Sequence, residues 1–433
     1  MSTRSTQGDP PILARLAITL GAPFVAWLLG TQAVPDQLMV FGLDGRDGRL
    51  MGLTPVAVGF LGVELVAALV PRLRPLRISG PAGRARLTAW GWRASAAVMA
   101  LGLLRTGLDW FRTDMFQFAW FFLLVCFNPL WTLLLVWLAR RVSEQGLANG
   151  FAVFLLADQV PPEFRPELLS GLGPVVGATL LWMLLVAWLL GSPKGRSAHG
   201  EVVLRAPLSG LLPVTLTHAV LNLPTGPLAA LTAGLPLGFL YHFYPGYTWY
   251  FVVMAVAVVL LTPVFMRVFY WGPNVVAFTP DGSTAADLQA RLREGLRYTM
   301  FVTLTLGLLP GVIERIVVVP FTVAVAPGAT LLTALLLDAK DEWRARERQE
   351  TLVSVWSEHR GYAVDPLCAA LTRGGIPCHA RAVRYHTLMR FFAPLVPVEL
   401  LVPRTRVTEA LAVLDARNAA SLAHLDGHAP TTF

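Results

Sequence analysis

Apolar residues in this chain gather into ten long runs, and none shows the every-second-position alternation of a half-buried strand. A bilayer core about 30 Å thick takes about 20 residues of helix to cross. Lipid tolerates only helices or closed barrels, because no water is there to satisfy the backbone. The pattern therefore predicts ten transmembrane helices, near 11–30, 52–70, 87–107, 115–139, 149–162, 171–191, 206–223, 248–269, 297–313 and 319–338. The fifth is short for a full crossing.

The pattern changes at Asp338. DAKDEWRARERQE (338–350) has the charge density of a solvated helix. After it, LVSVW reads as a strand, DPLCAALTRGG as a helix closed by glycine, PCHARAV and VPVELLVP as two more strands, and RVTEALAVLDA as a last helix. The expected layout is an all-α polytopic membrane domain over 1–338, a charged helical connector over 339–350, a small α+β domain of order β-α-β-β-α over 351–417, and a frayed tail over 418–433. About 70 residues is little from which to build a stable core alone.

Composition agrees with a membrane protein: 55% of residues are hydrophobic and 14% charged, and the mean hydropathy is +0.58, outside the range of soluble chains. Charge orients the helices. With the N-terminus inside, the cytoplasmic segments before the tail hold 16 Lys and Arg residues and the opposite side holds 6, so the positive-inside rule places both termini in the cytoplasm. From Asp338 onward, 12 basic residues meet 11 acidic ones. The surplus charge thus belongs to the membrane part, and the pI near 9.8 reflects that bias rather than a nucleic-acid partner. Cys126, Cys368 and Cys378 give neither a disulfide framework nor a zinc spacing. Cys378, His379 and His386 fit no recognised metal site, so no metal and no cofactor is expected. The first apolar run lacks an A-x-A-like site after it and reads as a retained span. The spans contain no H-E-x-x-H, G-x-S-x-G or P-loop, and no enzymatic activity is expected.

One segment breaks the simple picture. VSEQGLANG (142–150) places Glu144, Gly146, Asn149 and Gly150 at the mouth of the fifth span, where unsatisfied polar groups cost several kcal/mol in lipid. Taken alone, it reads as an ordinary interfacial turn. It also resembles the T-E-x-G-I-G-N-G-I-S run that opens the fifth helix of the SecY family, the channel subunit of the Sec protein translocon. Further segments resemble that family in the same order: RLAITLGAPFVAWLLGTQAVP (15–35), LMGLTPVAVGFLGVELVAALVP (50–71), GPAGRARLTAWGWR (80–93), LRAPLSGLLPVTLTHAVLNLP (204–224) and YPGYTWYFVVMAVAV (244–258).

The resemblance implies a ten-helix bundle of two pseudo-symmetric five-helix halves, an hourglass that opens sideways to lipid between its second and seventh helices. It implies a waist ring of bulky aliphatic side chains, which passes an extended polypeptide yet seals against ions. Carried over by position, the ring falls on Leu53, Ala57, Leu155, Thr215, and Leu332 or Thr333; Ala57 and the threonines are smaller or more polar than the family's isoleucines, which implies a looser or differently built seal. At the lateral gate the resemblance places Glu64, with His218 and Asn222 four apart on the seventh helix. Either Glu64 hydrogen-bonds His218 and holds the gate shut, or Glu64 faces a wet vestibule and His218 is a packing residue. The plug region departs from the family, with Asp44, Arg46, Asp47 and Arg49 in place of a small apolar helix. The cytoplasmic loops SPKGRSAHGE (192–201) and 271–296 are short or lack the G-x-R-P-G motif, which counts against docking of the SecA motor or a ribosome.

The implied function is a protein-conducting channel in a bacterial inner membrane, specialised for few clients. Its partners would be a translocating polypeptide or signal sequence, small SecE- and SecG-like subunits, and the bilayer. The second reading is a non-conducting scaffold of the same shape that regulates or tethers through its cytoplasmic domain.

Overall fold

The computed structural model describes residues 11–32, 52–78, 80–112, 118–157, 172–192, 196–199, 202–222, 248–270, 275, 285–317, 325–348, 351–392 and 395–427. The expected plug residues Asp44, Arg46, Asp47 and Arg49 lie outside them.

Each of the ten apolar runs falls on a helix. These are α1 (Ile12–Gln32), α2 (Thr54–Leu69), α4 (Gly80–Arg112), α5 (Phe118–Gln145), α6 (Gly150–Ala157), α7 (Leu172–Gly191), α8 (Leu212–Asn222), α9 (Thr248–Phe269), α10 (Ala285–Val317) and α11 (Ala326–Arg348), with the short α3 (Arg74–Ile78) between α2 and α4. Five of them, α4, α5, α7, α9 and α10, are long and apolar enough to cross a membrane, while α2 and the stretch Ile12–Ala26 of α1 are shorter apolar helices. Their outer faces carry exposed Leu101, Leu130, Leu181 and Leu260, which suits lipid rather than water. Inward, Trp182 of α7 is 2% exposed, and its indole donates to Thr330 Oγ1 at 2.9 Å, tying α7 to α11.

Helices α4 and α10 are each 33 residues long, about 50 Å at 1.5 Å per residue, and so outrun the hydrocarbon core. The surplus of α10 is its first turns, AADLQARLREG, whose Leu288 and Leu292 are buried beneath the C-terminal domain. Helix α11 runs unbroken from Ala326 to Arg348. The last span and the connector expected over 339–350 are therefore one helix; its charged half needs no hinge because Asp338 and Glu342 are bonded to the domain beyond.

That domain comprises β3 (Leu352–Glu358), α12 (Val364–Arg373), β4 (His379–Arg381), α13 (Val383–Leu388), β5 (Val398–Pro403) and α14 (Val407–Gly427). Its sheet has the order β3-β5-β4, antiparallel throughout. Helices α12 and α14 cover one face, burying Leu367, Leu371, Ala410 and Leu414 against Leu400 and Val402. The frayed tail expected from residue 418 is instead helical as far as Gly427, anchored where Asn418 Oδ1 accepts a 2.9 Å hydrogen bond from Arg360.

A domain of this size has a marginal core, and this one does not stand alone. The hairpin of β1 (Arg196–His199) and β2 (Val202–Arg205) joins α7 to α8 and presses Val202 and Leu204 into the same core, which also takes Met266 and Tyr270 from the end of α9. Arg205 closes the joint with a bidentate pair to Asp365 at 2.5 and 2.7 Å. The strand that follows the short loop 192–201 is thus packed against the chain's own domain.

Candidate functional site

Between β4 and β5 the C-terminal domain puts out a segment, described over 382–392 and 395–397, that belongs more to the membrane helices than to its own sheet. Tyr385 and Leu388 are fully buried, as is Val396, and Phe391 is 3% exposed. All four join one apolar cluster with Leu53, Ala57 and Phe60 of α2, Ala152 and Val153 of α6, Leu212 of α8, and Leu331 and Ala334 of α11. Helices α2, α6, α8 and α11 correspond to the second, fifth, seventh and tenth spans, the set to which the resemblance assigns the pore.

Polar contacts fix the segment on each side. Tyr385 Oη donates to Ala152 O of α6 at 3.4 Å. Leu211 N, just before α8, donates to Leu388 O at 2.8 Å. Gly210 has φ +61, and a Cβ there would stand 2.8 Å from Leu388 O, so only glycine lets the two backbones approach this closely. Helix α13 has no side-chain cap of its own at Ala382. Asp338 of α11 supplies it, accepting from Tyr385 N at 2.9 Å and from Arg384 N at 3.1 Å. Arg384 also reaches Asp341 at 2.5 Å.

Arg381 is the hub. It is 3% exposed and uses all five guanidinium N–H groups: two go to Glu342 of α11 at 2.8 and 2.6 Å, one to Glu399 of β5 at 2.9 Å, one to Ser143 O at 2.7 Å and one to Gly146 O at 3.1 Å. The last two explain the broken turn at 143–149. Its carbonyls, lacking helical partners, are held by Arg381 and by Arg15 of α1, which reaches Gln145 O and Gly146 O at 3.4 Å. Leu147 N donates to Thr19 Oγ1 at 3.0 Å. Asn149 Oδ1 accepts from Ala152 N at 3.2 Å and caps α6, and Gly150 N donates to Ser143 Oγ at 2.7 Å. Glu144 is exposed beside these groups on the rim of a polar cavity of about 260 Å³ shared with Arg15, Arg140 and Glu399.

The remaining expected site residues divide. Leu53 and Ala57 are buried in the shared cluster. Leu155 lies on α6, but its side chain is outside the described residues. Thr333 is buried and Leu332 half-buried, while Thr215 is exposed. Thr215 Oγ1 donates to Leu211 O and Thr333 Oγ1 to Ala329 O, so each hydroxyl is spent on its own helix and the ring positions are less polar than their names suggest. Glu64 is 3% exposed. Its carboxylate accepts from Arg77 Nε at 3.2 Å and Arg84 Nη1 at 2.6 Å. A buried carboxylate demands a full cation, and Arg84, one helix away on α4, meets that need. The Glu64 carboxylate is thus paired with two arginines among the described residues. The side chains of His218 and Asn222, on α8, are outside them.

Sequence reasoning missed Arg381 and the 382–397 segment. LMRFFAPLV is too apolar and too aromatic for a loop of a 70-residue domain, and that excess was the available signal.

Several ionisable groups set the pH response: burial holds His359 and His379, like His386, below the usual imidazole range, whereas burial pushes Asp338, which caps α13, up to about 6, so its contribution grows as pH falls through 6 and opposes theirs. Burial pushes His386 down to about 4, aided by Arg390 and Arg84 and opposed by Glu358 and by the Nδ1 contact to Val396 O at 2.8 Å. Burial works against the charge on Glu358, but Arg360 outweighs it and holds that carboxyl at about 2. For His386 the unfolded chain takes up a proton near 6.5 and the folded one only near 4. The stability this group contributes is thus complete above pH 6.5 and is lost as pH falls toward 4, by about 1.4 kcal/mol per unit at most. Glu358 acts lower, from about 4.5 down to 2. Limited proteolysis of the 382–397 segment should therefore accelerate severalfold between pH 7 and 5, and His386→Asn should flatten that dependence. An equal acceleration in His386→Asn would show that another group is responsible.

No family model matches the sequence. Over 308 residues the chain is 21% identical to the protein translocase subunit SecY of Thermotoga maritima, an alignment covering 61% of this chain and 70% of that protein. Two solved structures are similar at a TM-score of 0.49, each covering 80% of this chain and 95% of its own. One, 18% identical, concerns the SecY plug domain that stabilises the closed state of the translocation channel; the other, 16% identical, is that of a protein-conducting channel.

Proposed function

We propose that this chain is a SecY-like channel for translocating or inserting polypeptides, divergent in its cytoplasmic surface, and seated in a bacterial inner membrane with both ends in the cytoplasm. The observation that carries the reading is the convergence of α2, α6, α8 and α11 on one apolar cluster containing Leu53 and Ala57, in a chain with sequence similarity to a translocase subunit. Four helices that meet in this way can form an aliphatic waist, which dewets when closed and yields to an extended chain. The proposed partners are a client polypeptide and small SecE-like subunits.

A second reading, a non-conducting scaffold, is favoured by a specific observation: the mouth between these helices is filled by the chain's own domain. The two separate on ion conductance. Leu53→Gly with Leu155→Gly, reconstituted in planar bilayers, should raise leak current at least severalfold over the unmodified chain. The same pair should be tested with the mouth loosened by Phe391→Ser and Phe392→Ser, so that the domain does not mask an open waist. Unchanged conductance in both folded variants would leave only the scaffold.

A further inference from the structure

Spacing alone pairs none of the three cysteines, but the fold brings two of them together. Cys368 lies on α12, and Cys378 stands directly before β4. Between them the chain reverses at Gly374 and Gly375, the latter at φ +70, and Ile376 N donates back to Leu371 O at 2.9 Å. That turn returns Cys378 alongside the helix. Both side chains are half-buried against one apolar core, and the Cys368 thiol donates to the Cys378 sulfur. Among the described residues no third Cys, His, Asp or Glu joins the pair in a group that could hold a metal ion. We propose that Cys368 and Cys378 are a redox modification site, at which a reversible disulfide ties α12 to β4.

Thiols already in hydrogen-bond contact reach disulfide geometry by side-chain rotation, without moving the backbone apart. The hydrogen bond to Cys378, and after it burial, push the Cys368 thiol up, so Cys368 keeps its proton while the Cys378 sulfur attacks. With a hydroperoxide as oxidant, the Cys378 thiolate takes one peroxide oxygen, the O–O bond breaks, and hydroxide leaves a sulfenic acid on Cys378. The Cys368 sulfur then displaces the sulfenic hydroxyl. An S–S bond forms, an S–O bond breaks, and the Cys368 proton departs with the hydroxyl as water. The two sulfurs have together given two electrons to the peroxide, and a thiol reductant reverses the change. On the cytoplasmic side proposed for the domain, thiols are ordinarily kept reduced, so the bond forms there under oxidative load.

Position gives the bond its effect. Asp365, one turn before Cys368, holds Arg205 of the hairpin, and Arg381, three residues after Cys378, holds Glu342 of α11. Helix α12 and strand β4 thus each carry an anchor of the domain on the membrane helices. In the reduced chain the two elements are joined by packing. The disulfide makes them one covalent unit, and neither anchor is then released by local opening of the domain.

The test uses the full chain in nanodiscs with Cys126→Ser, so that only the pair remains. Hydrogen peroxide is added in steps, remaining thiols are blocked with a maleimide, and the digested peptides are read by mass. Both thiols should disappear together into one linked pair of peptides, and dithiothreitol should restore them. Hydrogen exchange over 364–373 and 379–381 should slow severalfold in the oxidised chain relative to the reduced one. With Cys368→Ser, Cys378 should remain as a sulfenic acid that dimedone traps, and exchange should not slow on oxidation. Independent loss of the two thiols, or linkage that forms only after the domain is unfolded in urea, overturns the inference. Linkage without slower exchange overturns the bracing of the two anchors.

Discussion

Arg381→Ala will destabilise the protein by about 3–5 kcal/mol, the range for removing one partner of a buried ion pair, and will loosen the C-terminal domain from the helices. The reason lies in what it leaves behind. Glu342 is fully buried and would retain Arg346 at 2.8 Å as its cation. Glu399 would lose a 2.9 Å partner, Ser143 O would lose the donor at 2.7 Å, and Gly146 O would keep only the 3.4 Å contact from Arg15. Arg381→Lys should recover only part of the loss, because an ammonium offers three donors from a point and cannot span Glu342, Glu399 and the turn together. Thermal unfolding in detergent, read with hydrogen exchange over 143–150, checks both statements. An Arg381→Ala chain melting within about 1 kcal/mol of the parent would show that the hub is held by packing alone.

Gly150→Ala should be the most damaging small change in the membrane part. A Cβ at Gly150 would lie 1.9 Å from Ala139 O and 2.7 Å from its carbonyl carbon, and both are backbone atoms of α5 that no rotamer change can move. Overpacking of this kind costs about 1–3 kcal/mol where side chains give way, and more where they cannot. The control is Gly173→Ala on α7, where a new Cβ meets nothing within 4 Å; it should be neutral or slightly stabilising, since alanine is the better helix former by about 1 kcal/mol. Yield of folded monomer after membrane extraction should collapse for Gly150→Ala and hold for Gly173→Ala. Similar yields would mean that α5 and α6 can separate without loss.

Most of what made the helices legible was length without alternation: a run such as 248–269 has no other stable form in lipid. The strands and helices of the C-terminal domain could be read because their periods and glycine stops are local. The ends of helices were less visible. The surplus turns of α10 and the unbroken length of α11 depend on a partner above the membrane, and residues 285–296 alone give no sign of what covers Leu288. The candidate site was half visible. Gly146, Asn149 and Gly150 announced a broken turn, yet the group that satisfies it, Arg381, lies 235 residues away from Gly146, and no local pattern joins the two. Glu64 was marked by its burial cost, but the choice among His218, Arg77 and Arg84 is a matter of tertiary geometry.

The continuity of α11 has a mechanical consequence. A helix of 23 residues is a stiff rod about 35 Å long, with proposed waist positions Leu332 and Thr333 toward one end and the carboxylates that grip the domain farther along. A tilt of about 5° about its Ala326 end moves Glu342, about 24 Å along, by about 2 Å, enough to break the 2.8 and 2.6 Å hydrogen bonds that it accepts from Arg381. In the proposed channel, dilation at Leu332 and Thr333 and release of the domain would be one motion of a single lever.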